Sequence, residues 1–376
     1  MLFRVARPSL RPWVCALFGS AFFVYFSVVE LAGWIAAACL LILLWEGFFS
    51  RLYHPRSRLC LVGIAIAVAI LGVFKYWNFS TGLLTMPLGR NPFRWETAFL
   101  PLGISFFTFE FIHYAADRYK GTAEQGTRGE YFAFILFFPT MVAGPIKRFQ
   151  DFVPQLRNPS TDWTLDWNRG ITRILTGLVK KLAVADVLGS FTVHLNRSDI
   201  AQADRLTLLL WIIAYGWKAY FDFSAYSDIA IGSARLLGIR IPENFDWPFF
   251  RSNISEFWRH WHISLYKWLV DYVFIPLGGS RRSLALVCGN ILLTMVVSGL
   301  WHGAAAHFVV FGAWHGVMLS IHRVWVTYRR RRGYLAQPQW KGQLGNWALT
   351  AAGVTIGWPM FAMNIDTALF FYSRLF

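Results

Sequence analysis

Charge is scarce in this sequence. Asp, Glu, Lys and Arg make up 15% of its 376 residues, against roughly 25% in an ordinary soluble domain. Between Leu284 and His322 there is none at all. A soluble globular fold is thereby excluded, and a polytopic membrane protein is expected, because several apolar stretches approach the roughly 20 residues needed to cross a bilayer as a helix. Cysteine is also scarce. Cys15, Cys39, Cys60 and Cys288 all lie in apolar runs and form no CxxC pair, which argues against a disulfide framework or a zinc site and for buried, inert thiols.

What charge there is leans basic, with 36 Lys and Arg against 20 Asp and Glu. The excess does not point to nucleic acid. It clusters at segment ends, in Arg4/Arg7/Arg11, Arg51/Arg56/Arg58, Arg281/Arg282 and Arg329–Arg332, as in the cytoplasmic loops of a membrane protein. The first apolar run, Trp13–Val29, follows a basic start like a signal peptide. A second run, Leu31–Trp45, follows at once, so the first reads as an uncleaved helix of a hairpin around Glu30. Basic flanks and an uncharged tip put the N-terminus on the cytoplasmic side.

Further spans are expected over Leu59–Trp77 and Phe99–Ala115. Tyr131–Ala143 is short for a span and reads as re-entrant. Trp163–Asn168 is polar, Ile171–Leu195 a mixed helix, and Leu206–Leu237 a long apolar helix carrying Lys218, Asp222, Asp228 and Arg235. Lys218 and Asp222 are spaced to pair on one face, and charges in such a span face protein or a wet cavity. Leu284–Leu300 and Ala305–Tyr328 form a late hairpin, and Asn346–Met360 and Asp366–Phe376 complete a single membrane-embedded domain over residues 1–376.

Asn253–Arg282 is the most informative stretch. Asn253 with Glu256 fits a helix N-cap and its box partner, and the helix is expected to run toward Tyr272 and stop near Pro276 and Gly278. At 100° per residue, Trp258, Trp261, Leu265, Trp268, Leu269 and Tyr272 share one face, and Glu256, His260, Ser264, Lys267 and Asp271 the other. His260 then lies with the charges and His262 among the tryptophans, on an interfacial or cavity-lining helix.

The uncharged region holds four histidines, His302, His307, His315 and His322, and two copies of Trp-His-Gly. A neutral imidazole is cheaper to bury than an ion and can accept a proton as a general base. His302, between Trp301 and Gly303 at the hairpin tip, is the candidate for that role. His315 and His322, seven apart, read as helix packing. No His pair is spaced i,i+4 and carboxylates nearby are few, which argues against a metal.

Four stretches together resemble the membrane-bound O-acyltransferase family: "PLGISFFTFEFIHYAADRYKG" (Pro101–Gly121), "FPTMVAGPIKRFQDFVPQL" (Phe138–Leu156), "YFDFSAYSDIAIGSARLLGIRIPENF" (Tyr220–Phe245), and "EFWRHWHISLYKWLVDYVFIPLGGSRR" (Glu256–Arg282) with "SGLWHGA" (Ser298–Ala304). The resemblance is strongest to the bacterial branch of alginate O-acetylation and runs from Pro101 to the C-terminus. It implies an all-α fold of about 9–11 transmembrane or re-entrant helices around a central funnel. It also implies His302 as the central catalytic residue and His262 as the second. Asp222, Asn244, Trp258, Trp261, Asp271 and Trp301 are the expected tunnel or binding residues. No bound cofactor is expected. Acetyl-coenzyme A or another acyl thioester is the expected donor. A cell-surface polysaccharide or a periplasmic acyltransferase is the expected partner, and the bacterial inner membrane the expected location. Ala306, His307 and Ala362 depart from the family pattern. D-alanyl transfer remains an alternative. So does a transporter or proton pathway using these histidines with Asp222 and Asp228, and so does a non-catalytic assembly protein.

Overall fold

The computed structural model describes residues 2–30, 46–95, 103–333 and 340–376. The expected second span, Leu31–Trp45, and the start of Phe99–Ala115 fall outside the described residues. After a single turn at Leu2–Val5 the chain forms α1 (Arg11–Glu30), α2 (Arg58–Leu84, with a π-turn at Gly72–Tyr76), α3 (Ile104–Lys120), α4 (Arg128–Ile135), α5 (Phe149–Arg157) and α6 (Trp163–Val179). It continues with α7 (Asp186–Thr192), α8 (Arg197–Gln202), α9 (Arg205–Leu236), α10 (Ile254–His260), α11 (Ile263–Leu269), α12 (Leu284–His302), α13 (Ala306–Arg331), α14 (Trp340–Ala362) and α15 (Ile365–Leu375). Among the described residues there is no strand, only one isolated antiparallel bridge, Phe245 to Trp261. The fold is all-α. α2 and α12 are long and apolar enough to cross a membrane, and most of their apolar residues are unburied.

Contacts divide the chain into two compact units, residues 1–176 with 226–242, and 177–225 with 243–376. In the first, the N-terminal turn is fixed by charge: Arg4 donates to Asp166 at 2.7 Å, and Arg235 lies 2.8 Å from the other oxygen of that buried carboxylate. Lys147 pairs with Glu110 inside a ring of Phe134, Phe137 and Phe152. Such a buried pair is tolerated because each ion satisfies the other. α4 begins with a full capping box between Thr127 and Glu130, and Tyr131–Ala143 accordingly is one short helix followed by turns. Asp228, on α9, accepts from Arg173 at 2.6 Å.

Several boundaries differ from the sequence reading. Trp163–Asn168 is helical, not merely polar, because Asp162 caps the turn by accepting from Leu165. The span expected over Leu59–Trp77 continues to Leu84 through the π-turn. In the second unit, the helix expected from Asn253 to Tyr272 is broken at Trp261–His262. Asn253 does cap it, accepting from the Glu256 amide at 2.9 Å, but the Glu256 carboxylate pairs with Arg259 instead of closing a box. The α12–α13 hairpin forms within a few residues of its expected limits. Its arms approach closely because they are lined with glycine. A Cβ on Gly299 would meet the Phe308 carbonyl, one on Gly312 the Met295 carbonyl, and one on Gly316 the Leu292 backbone. Small residues at this spacing let helix backbones touch.

Candidate active site

The second unit holds a partly open cavity of about 630 Å³. Its polar rim carries Arg259, His322, Arg323 and Arg330, and its inner wall holds Trp258, Trp261, His262 and Ser298. Arg323 and Arg330 stand seven residues apart on α13, so the same face of that helix presents both.

His262 is placed by a break, not by a helix face. It adopts φ +46°, ψ 56°, a left-handed conformation costing an L-residue roughly 1–2 kcal/mol. The segment before α10 enforces it. The Asp246 amide donates to the His260 carbonyl at 3.1 Å, and the Ile263 amide to the Asn244 carbonyl at 2.9 Å. Between them sits the Phe245–Trp261 bridge. Asn244 is fully buried, and its Oδ1 accepts from the Ser264 hydroxyl at 2.6 Å. These contacts hold both flanks of His262 and overdetermine the strained turn. They also explain why Ser264, expected on the polar face, is buried.

The His262 ring is 1% exposed, and among the described residues neither of its nitrogens has a hydrogen-bond partner. Phe223 packs edge-on at 4.7 Å and Trp301 lies 5.6 Å away. α10 and α11, at seven residues each, are too short to span a bilayer. In this non-spanning segment burial, and next the neighbouring His302, lower the His262 pKa well below its ordinary value, so the ring is neutral.

His302 is the last residue of α12 and half-buried. Its ring meets Trp301 at 4.7 Å and Phe361 at 4.8 Å. Trp301 is thus shared by both histidines, and their ring centres lie within about 10 Å of each other. Gly303 follows in an extended conformation, and there the chain turns into α13.

The remaining sequence candidates separate. Trp258 and Trp261 are buried and line the cavity. Asn244 lies behind the His262 turn. Asp222 sits between Lys181 at 2.9 Å and Lys218 at 3.3 Å, the latter being the pair expected from i,i+4 spacing. Asp271 is half-buried in the π-turn Val270–Phe274. Of all the sequence candidates, Trp258, Trp261 and His262 line the cavity, whereas His302 and Trp301 stand behind His262 and do not. The other histidines divide as well. His315 is buried in α13, where its Nδ1 accepts from the Trp258 indole at 3.3 Å. His307 donates through Nδ1 to the Met360 carbonyl at 2.9 Å. His322, read as packing, instead opens on the cavity. Ser298, Arg259 and Arg323 were not singled out from sequence, and Arg330 only as part of the basic cluster Arg329–Arg332. The arginine spacing along α13 was the available signal. Of the cysteines, Cys15 and Cys60 are buried, Cys288 is half-buried, and Cys39 lies outside the described residues.

An all-α scaffold with two largely unburied apolar helices, a cavity lined in part by arginines and two neighbouring histidines fits an integral membrane protein. The chain belongs to the membrane-bound O-acyltransferase family, whose sequence model matches residues 129–363. It is 40% identical over 331 residues to the "probable alginate O-acetylase" of Pseudomonas putida, covering 86% of this chain and 65% of that protein. It is 31% identical over 349 residues to the peptidoglycan O-acetyltransferase of Helicobacter pylori, covering 84% and 64%. With the teichoic acid D-alanyltransferase of Bacillus subtilis it shares 29% over 325 residues, covering 81% and 80%. The chain spans about 61–65% of the length of the alginate O-acetylases it matches.

Proposed function

We propose that this chain transfers an acetyl group from a cytoplasmic thioester, such as acetyl-coenzyme A, to a hydroxyl of a cell-surface polysaccharide or of a periplasmic acyltransferase that passes it on. One observation carries the reading: a cavity with a basic rim ends at a buried, unbonded histidine that shares Trp301 with His302. The arginines at the rim suit an anionic carrier, and the indole-lined inner wall excludes water that would hydrolyse the thioester. His302 takes the proton from the acceptor hydroxyl as its oxygen attacks the carbonyl carbon. A C–O bond forms, the C–S bond breaks, and the proton passes from His302 to the leaving thiolate. His262 orients the acceptor or stabilises the developing oxyanion. The chain sits in the inner membrane with its N-terminus cytoplasmic, as the basic flanks of its first helix favour.

D-alanyl transfer to a cell-wall polymer is the alternative within the class, favoured by the similarity to teichoic acid D-alanyltransferases. A transporter or proton pathway is the rival outside it. The His302→Ala variant separates them when O-acetyl and D-alanyl esters are measured on the envelope polymers of the host. Loss of acetyl ester supports the reading, loss of D-alanyl ester selects the alternative, and wild-type esters on both remove His302 from the chemistry.

A further inference from the structure

Ser298 is a hydroxyl without employment. A serine or threonine inside a helix ordinarily turns its hydroxyl back to the carbonyl four residues earlier. In the second unit Thr294 does so to Asn290 at 2.6 Å, Ser320 to Gly316 at 2.8 Å and Thr327 to Arg323 at 2.8 Å. Ser298 is 2% exposed, yet its Oγ has no hydrogen-bond partner among the described residues. Leaving such a buried group unsatisfied is costly. It lines the same cavity as His262, and it stands one turn before His302 on α12.

We propose that the Ser298 hydroxyl donates to the carbonyl oxygen of the bound thioester and stabilises the oxyanion that forms there. The proposal rests on the acyl-transfer reading and deepens it. Residues at i and i+4 have side-chain roots about 5–6 Å apart on one helix face. That gap admits the acceptor oxygen on His302 and the carbonyl group under Ser298 side by side, in line with an attack distance of about 3–3.5 Å. The hydroxyl stays fixed while its partner becomes negative, so the bond strengthens in the transition state. His262 is then left for the acceptor.

The test uses the full chain as the only copy in its host, with acetyl ester on the envelope polysaccharide as the rate readout. Melting of the purified protein serves as the folding control. Ser298→Thr and Ser298→Val differ only in a hydroxyl against a methyl. Threonine is expected to retain acetylation and valine to lose about 10²–10³-fold, with equal melting temperatures. An FTIR spectrum of bound acetyl-coenzyme A should show the thioester carbonyl stretch at lower wavenumber in Ser298→Thr than in Ser298→Val. Equal acetylation by the two variants overturns the proposal, as does an identical carbonyl stretch. Full acetylation in a host that lacks the chain altogether sinks the acyl-transfer reading itself, and full acetylation by His302→Ala removes His302 from the chemistry, whatever the Ser298 pair does.

Discussion

The two Trp-His-Gly triplets should fail in opposite ways. His315 is 1% exposed and is the acceptor for the buried Trp258 indole. Truncating it to alanine opens a void, which for a buried side chain of that size costs roughly 2–5 kcal/mol. It also strands the indole N–H, at about 1–3 kcal/mol. His315→Phe fills the void and leaves only the second cost. The expected order of stability is therefore wild type, then His315→Phe, then His315→Ala. His302 is half-buried at a helix end, and its loss should cost about 1–2 kcal/mol, as for a partly buried site. The chemical penalty is different. Removing a general base slows transfer by about 10²–10⁴-fold, equivalent to roughly 3–5.5 kcal/mol of barrier.

The assay is a thermal melt of the purified full chain, paired with acetyl ester on the host polysaccharide. His315 variants should melt low and acetylate in proportion to the folded protein remaining. His302→Ala should melt near wild type and acetylate almost nothing. A His315→Ala protein that melts like wild type but transfers no acetyl group would show that the second triplet is chemical and that its packing role is misread.

Replacing Arg323 and Arg330 together with alanine should raise the donor KM several-fold with little change in kcat, because rim charges attract an anionic carrier; an unchanged KM for acetyl-coenzyme A rules that attraction out. Asn244→Ala removes the acceptor for Ser264 and loosens the left-handed turn at His262. It should lower kcat, and the Asn244→Ala/His262→Ala double variant should be no slower than His262→Ala alone, since both act through one group. A strictly additive double variant would separate Asn244 from that turn. In the first unit, burial raises the Glu130 pKa, but the Arg157 guanidinium and the Thr127 amide outweigh it and hold the carboxyl below its ordinary 4.5. Its contribution to stability is full above pH 4.5 and disappears as pH falls through the lower folded value. The melting difference between wild type and Glu130→Gln should accordingly close on acidification, and one that widens below pH 4.5 contradicts the assignment.

Patterns local in sequence were legible, and contacts distant in sequence were not. The Asn253 cap, the Lys218–Asp222 pair and the α12–α13 hairpin each depend on neighbours within a few residues or on an uninterrupted apolar run. The break at His262 depends on residues 244–246, which reach it only in the folded chain. A helical wheel assumes one continuous helix, so it placed His262 among the tryptophans for the wrong reason and put Ser264 on the polar face. Ser298 was illegible for another cause: its letter looks like that of any serine that bonds its own helix, and the difference is a partner it lacks.

The distinction between His302 and His315 was legible because one falls at the hairpin tip and the other inside the returning arm, and in the fold glycine enforces it. Gly316 stands four residues from Gly312, and both press on α12 at Leu292 and Met295, so the second triplet lies in the seam between two helices. Its histidine must be buried and needs a local partner, which Trp258 supplies. Gly303 lies where α12 has ended and the backbone is extended, so its triplet leaves His302 half-buried beside Trp301. Trp301 is the ring His302 shares with a histidine forty residues earlier. A half-buried base in that position can meet a substrate, which neither a lipid-facing nor a seam-buried imidazole can do. The absence of formal charge from Leu284 to His322 serves both triplets, but only the first leaves its histidine half-buried, beside the ring that also contacts the cavity-lining His262.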